Sequence, residues 1–175
     1  MKEVSMPEKA RLHSIEPVPG QRPLVRKARL ADVNDMYRII NHYAEMQLML
    51  SKTKLQLYEN LRDYTVAVED SVPHRVLGCG ALHIYWENLA EIRAIAILPE
   101  KARKGVGTYL VDRLLNEARE LEIEQVFVFT YEPKFFGRFG FVQVEHSALP
   151  LKVYNECLTC PKLNKCDELA MVLNL

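Results

Sequence analysis

The 175-residue sequence predicts an α+β domain built on a mixed sheet. Two observations carry that expectation. The first half of the chain holds short apolar runs bounded by turn residues, the pattern of antiparallel strands. The second half passes from a strand through a helix of period 3.6 to the almost wholly apolar Val126-Phe127-Val128-Phe129, the order of a β-α-β crossover. Composition agrees: 49% of residues are hydrophobic and 26% charged, enough apolar surface for the core of one domain. The 23 Lys and Arg balance the 23 Asp and Glu, so the clustered basic excess of a nucleic-acid-binding protein is missing.

The elements follow in order. Residues 1–23 hold four of the nine prolines (Pro7, Pro17, Pro19, Pro23) and no periodic pattern, so they read as a flexible arm before a single domain over 24–175. A first strand is expected over 24–28. Asp32 is placed to cap a helix carrying Val33, Met36, Ile39, Ile40 and Tyr43 at helical spacing. Leu55, Leu57, Tyr58 and Leu61 suit a second, short helix. Strands over 65–68 and 76–85 pair through a turn at Ser71-Val72-Pro73, and a fourth over 91–98 is stopped by Pro99. From Gly105 a helix puts Val106, Leu110, Leu114, Ala118 and Leu121 on one face. A strand over 125–130, a short helix over 133–139, a strand from Phe141 and a last strand from Glu168 complete the chain. No apolar run approaches the roughly eighteen residues needed to cross a bilayer. The charged start (Lys2, Glu3, Glu8, Lys9) has no apolar signal region, so the expected location is cytoplasmic, with no membrane partner.

Strand, Pro99, then Gly105-Val106-Gly107-Thr108 and a helix is the most informative stretch. A helix that starts from a turn exposes up to four backbone N–H groups at its positive end, a good site for a diphosphate. Glycines at 105 and 107 remove the Cβ atoms that would hold phosphate oxygens off the backbone, and Lys101, Arg103 and Lys104 add charge. A Lys-Ser/Thr pair does not follow the second glycine, so this is not a P-loop, and Leu110 replaces the third glycine of a dinucleotide fingerprint.

The stretch resembles the signature of the GNAT superfamily of N-acetyltransferases, Arg/Gln-x-x-Gly-x-Gly/Ala, with Ala102-Arg103-Lys104-Gly105-Val106-Gly107 in its place and Ala102 in place of the Arg or Gln. Phe135-Phe136-Gly137-Arg138-Phe139-Gly140-Phe141 resembles the family's Phe-Tyr-x-x-x-Gly-Phe segment. The likeness covers roughly residues 24–175. It implies a mostly antiparallel sheet splayed at its fourth and fifth strands and flanked by helices, with acetyl-CoA as cosubstrate. By resemblance, Ile95, Ala96 and Ile97 hold the pantetheine arm like an added strand. Residues from Ala102 through Thr108, with Phe135 and Phe136, hold the rest of the cofactor.

Closer matches are to short, stand-alone N-acetylglutamate synthases, through Leu48-Met49-Leu50-Ser51-Lys52-Thr53, the segment 60–68, Ala90-Glu91-Ile92-Arg93-Ala94-Ile95-Ala96-Ile97 and the tail from Lys152. They imply acetylation of L-glutamate or L-glutamine, the entry step of arginine synthesis. An α-ammonium must lose a proton before it attacks a thioester. Glu91 is the candidate base; a structural ion pair with Arg93, two residues on and on the same strand face, is the alternative. Phe136 stands where many relatives carry the tyrosine that protonates the departing thiolate, so Tyr131 is the substitute candidate acid, against a plain strand-end tyrosine. Lys52, Arg93 and Lys152 are the candidate cations for the substrate's carboxylates, Lys52 replacing an arginine. His83 is a candidate for the acceptor wall. Another amine as acceptor, or a non-catalytic acetyl-CoA sensor, are the rival readings. Edge-strand pairing leaves a homodimer open.

Cys157-x2-Cys160-x5-Cys166 has knuckle-like spacing; a structural zinc would need a fourth ligand from Cys79, His146 or Asp167, with no second CxxC or HxxxH present, and is the minority reading. No metal is expected. Reduced thiols, with Cys79 the fourth, are preferred in a reducing compartment.

Overall fold

The computed structural model describes residues 22–69, 75–150, 158, 160–162 and 165–175. The turn at Ser71-Val72-Pro73, Lys152, Cys157 and nearly all of the N-terminal arm lie outside the described residues.

Seven strands form one sheet in the order β1-β2-β3-β4-β5-β7-β6. They are β1 (Leu24–Lys27), β2 (Tyr64–Glu69), β3 (Arg75–Trp86), β4 (Leu89–Ile97), β5 (Gln125–Thr130), β6 (Val142–Val144) and β7 (Leu169–Asn174). Every neighbouring pair is antiparallel except β4 with β5, which is parallel and joined through helix α3 (Val106–Glu120). This is the mixed α+β sheet that the two-part pattern of the sequence implied.

Helices cover both faces because strand residues alternate sides. Val66, Val68 and Ala81 pack with Met36, Ile39 and Ile40 of α1 (Val33–Glu45) and Leu57 of α2 (Lys54–Glu59). Leu82, Ala90, Ile92, Val126 and Val128 pack with Val111, Leu114, Leu115 and Ala118 of α3. Each large aliphatic side chain removed from water on this scale contributes roughly 1.5–3 kcal/mol. The fourth helix, α4 (Pro133–Gly137), ends two residues short of the expected span.

Ala94 interrupts the alternation in β4. Cys79 pairs Ala96 but Ala81 pairs Arg93, so β4 has one extra residue there, and Ala94 takes a left-handed φ of 52°. The bulge lets Ile92 and Ile95 pack on the α3 side although they are three residues apart, and returns Ala96 to the core beneath α1.

Three local expectations change. Asp32 does not cap α1 with its side chain. Its carboxylate accepts from the Arg29 amide at 2.7 Å and from both terminal nitrogens of Arg26 at 2.6 and 3.0 Å, closing the 3-10 turn before the helix. The second helix buries only Leu57. Leu55 and Tyr58 are exposed, since a six-residue helix turns one narrow stripe to the core. Leu121 is the exposed C-cap of α3 rather than part of its apolar face.

The Asp32 contacts generate a stability prediction. Burial opposes ionisation of this carboxyl, but the Arg26 guanidinium and the Arg29 amide outweigh it and hold the pKa below the ordinary value. Its contribution is therefore present above the unfolded pKa of about 4 and lost as pH falls through the lower folded value. Asp32→Ala should lower stability by about 1–3 kcal/mol at pH 7 in urea unfolding, with the gap to wild type shrinking in acid.

Candidate active site

The parallel pairing of β4 and β5 is brief. Leu89, Ala90 and Glu91 face Gln125, Val126 and Phe127, and the strands then part. The gap opens into a cleft of about 1620 Å³, walled by β4 beyond Glu91, the end of β5, the loop before α2, the start of α3, and α4. Of the sixteen expected cofactor, catalytic and substrate residues that are described, all but Ala96, Lys104 and Val106 line this cleft.

On the α3 wall, Gly105 is the residue before the helix and has a φ of 84°. A Cβ on it would meet nothing within 4 Å, so its requirement is the left-handed conformation. Gly107 is different: a Cβ there would come within 3.3 Å of Phe135 Cζ, so its bareness admits the phenylalanine ring against the helix start. The first helical hydrogen bonds come from the amides of Thr108 and Tyr109 to the Gly105 carbonyl, which leaves those of Val106 and Gly107 ahead of the ladder. Ala102, Arg103, Gly105, Gly107 and Thr108 line the cleft. A diphosphate fits this corner, where backbone donors and the Arg103 guanidinium meet no obstructing side chain at 105. The Val106 side chain instead joins the core with Leu110 and Leu77, and exposed Lys104 is not part of the lining.

On the β4 wall, Ile95 and Ile97 line the cleft while the Ala96 side chain is buried under α1. The Ile97 carbonyl accepts from the Tyr43 hydroxyl at 2.6 Å, so α1 already reaches one of the backbone groups expected to hold a pantetheine arm. On the α4 wall, Phe135 and Phe136 meet edge to face, and Phe136 in turn meets Phe141. Phe136 is 4% exposed, with its ring committed to the core.

The acceptor side gathers around Glu91, which is buried at the point of the splay. The Tyr85 hydroxyl donates to Glu91 Oε2 at 3.3 Å. Arg93 shares the wall, its Nη2 at 3.8 Å from Asp63 Oδ2, and the same oxygen lies 2.7 Å from His83 Nδ1. His83 thus faces Asp63 and is not among the cleft-lining residues. Lys52 lines the cleft from a loop moored to α1 by one side chain: Asn41 Oδ1 accepts from the Lys52 amide at 3.2 Å, and Asn41 Nδ2 donates to the Lys52 carbonyl at 2.9 Å.

Tyr131 lines the cleft just past β5, within a cluster that sequence reasoning did not foresee. Its hydroxyl donates to Asp167 Oδ1 at 2.6 Å and accepts from Lys162 Nζ at 2.9 Å. Burial, then the Asp167 hydrogen bond, push the phenol upward against the pull of Lys162. Glu168 and His146 line the same region, and burial followed by the Asp167 charge raises the Glu168 carboxyl. Asn41 and Tyr85 were also missed; an asparagine mid-helix and a tyrosine mid-strand carry no spacing signal. Cys160 and Cys166 line the cleft, and among the described residues no group of three His, Cys, Asp or Glu is arranged to hold a metal. Nor is any described helix long and apolar enough to cross a membrane.

Residues 31–141 match the model of the acetyltransferase (GNAT) family. An amino-acid acetyltransferase of Mycobacterium tuberculosis is 40% identical over 135 residues, 77% of each chain. The solved structure of Rv2747 from Mycobacterium tuberculosis, in complex with CoA and NLQ, superposes with a TM-score of 0.78 at 36% identity, over 87% of this chain and 99% of that one. N-acetylglutamate synthase from Neisseria gonorrhoeae, complexed with coenzyme A and N-acetyl-glutamate, gives the same TM-score at 20% identity. It shares the fold, and the match covers 89% of this chain but 36% of that longer one.

The geometry of the turn separates the two glycines experimentally. Gly105→Ala should cost about 1–2 kcal/mol in urea unfolding, from the left-handed backbone alone, and Gly105→Asn less. Equal stability of wild type and Gly105→Ala would show that the turn does not need positive φ.

Proposed function

The chain belongs to the acetyltransferase (GNAT) family, and from that premise we propose that it acetylates the α-amino group of L-glutamate. It is an acetyl-CoA-dependent acyltransferase acting on small molecules. The observation that supports the choice of substrate is that buried Glu91, Lys52 and Arg93 line one cleft, which the Gly105–Gly107 turn also lines. A dicarboxylate amino acid needs two cationic contacts and a base beside its nitrogen, and this corner offers all three.

In this reading Glu91 takes the proton that the ammonium must lose, directly or through water, with Tyr85 holding the carboxylate's orientation. Lys52 and Arg93 hold the two carboxylates, Arg93 braced by Asp63. The start of α3 and the free edge of β4 hold the donor so that its thioester faces the amine. Tyr131 supplies the proton that the departing thiolate takes up. The proposal extends to the first step of arginine synthesis, to a cytoplasmic location and to edge-strand pairing as a homodimer. L-Glutamine is the second reading, favoured by Lys52: an ammonium lacks the planar fork with which arginine grips a carboxylate, so a neutral side-chain amide loses less here.

A panel of the twenty amino acids with acetyl-CoA, read by release of free thiol, tests the substrate. Glutamate should be fastest; a faster rate with glutamine moves the assignment, and no release with any amino acid leaves only the sensor reading. Glu91→Gln should lower kcat about 100-fold or more with acetyl-CoA affinity unchanged. Lys52→Ala should raise KM for the amino acid about tenfold or more, as loss of a charge-assisted contact implies, with kcat little changed. An unchanged KM would remove Lys52 from the site.

A further inference from the structure

We propose that Lys162 is a positioning residue for the transfer, holding the Tyr131 hydroxyl and supporting the phenolate left when its proton passes to the leaving thiolate. The inference rests on the reading of Tyr131 as the acid and deepens it. Phe136, where relatives carry a tyrosine, has no hydroxyl, and its ring is buried between Phe135 and Phe141. Tyr131 lines the same cleft with a hydroxyl at the mouth of β5.

The contacts suit a donor that must release a proton and survive as an anion. Lys162 Nζ donates to the phenol oxygen at 2.9 Å, using a lone pair and leaving the hydroxyl hydrogen free to turn. That hydrogen rests on Asp167 Oδ1 at 2.6 Å, and the ammonium also lies 3.2 Å from the same carboxylate, so the three groups form a closed set. The ammonium stands 5.0 Å from the ring centroid, against the same tyrosine. Other charged and titratable groups of this part of the cleft are Glu168 just before β7, Glu132 just before α4, Lys134 within it and Arg138 just after it, with His146, Cys160 and Cys166.

The transfer balances without a further reactant. The amine nitrogen bonds to the carbonyl carbon, the carbon–sulfur bond breaks, and the thiolate takes the Tyr131 proton. The ammonium's first proton passes through Glu91 to solvent before attack, and the nitrogen's second leaves by the same route as the carbon–sulfur bond breaks. The phenolate is held by the Lys162 ammonium until solvent restores its proton. Asp167 has the opposing role: as an anion at the same oxygen it keeps the phenol protonated between turnovers.

Opposite signs make the test. The alkaline limb of the kcat–pH profile belongs to the acid. Lys162→Met should lower kcat about tenfold or more and move that limb to higher pH, because a favourable charge at the phenolate is gone. Asp167→Asn should move the limb to lower pH. Lys162→Arg should restore the wild-type plateau and limb, while the acidic limb, set by the base, and both KM values stay in place. Lys162→Met and Lys162→Arg equally slow with the limb unmoved would reduce Lys162 to a structural contact and overturn the proposal, as would wild-type kcat in Lys162→Met. Wild-type kcat in Tyr131→Phe would instead overturn the acid reading itself. A slow Tyr131→Phe beside an unaffected Lys162→Met would overturn the role of Lys162 alone. The amino-acid panel with the wild-type enzyme stands apart from all of these.

Discussion

The candidate site of this molecule depends on β4 and β5 parting after three residue pairs. A parallel pair buried between helices would ordinarily continue its ladder, because each unpaired backbone group in the interior is costly. Here the ladder stops at Glu91, and the bulge at Ala94 follows within three residues. The break leaves one edge of β4 without a strand partner, puts a carboxylate at the apex of the opening and aims the start of α3 into the gap. The cleft is thus a consequence of sheet topology, with side chains of α1, α4 and the C-terminal segment finishing its walls.

The two sides of the cleft are built on different physics. The donor side relies on backbone: helix-start amides, a glycine in a left-handed conformation and a glycine that lets Phe135 close in. On this wall the polar groups turned to the cleft are mainly backbone amides, and Ala102 adds none from its side chain. The Glu91 side carries side-chain charge: Asp63 joins His83 and Arg93, and Glu91 stands opposite His83 in the β3–β4 ladder. Of the positions that differ from the family pattern noted in the sequence, Ala102 and Phe136 stand on the α3 and α4 walls and Lys52 on the loop before α2.

Much of this was legible before the fold was seen, and the reasons for the remainder are physical. Strand and helix periodicity placed all seven strands, and the glycine turn and the phenylalanine segment, singled out by their residues, line one cleft. The bulge at Ala94 was not legible, since a left-handed alanine leaves no compositional mark, yet it decides that Ile95 and Ile97 face the cleft while Ala96 does not. Asp32 sat where a cap belongs, but tertiary contact with Arg26 took its carboxylate first. Lys162 and Asp167 were hidden because they reach Tyr131 across more than thirty residues of chain, a closeness that only β5 pairing with β7 creates.

The mooring of the Lys52 loop has a consequence for how such an enzyme can diverge. Asn41 grips residue 52 by its amide and carbonyl, never by its side chain. Those two contacts use only the backbone of residue 52, so a substitution there leaves both of them intact.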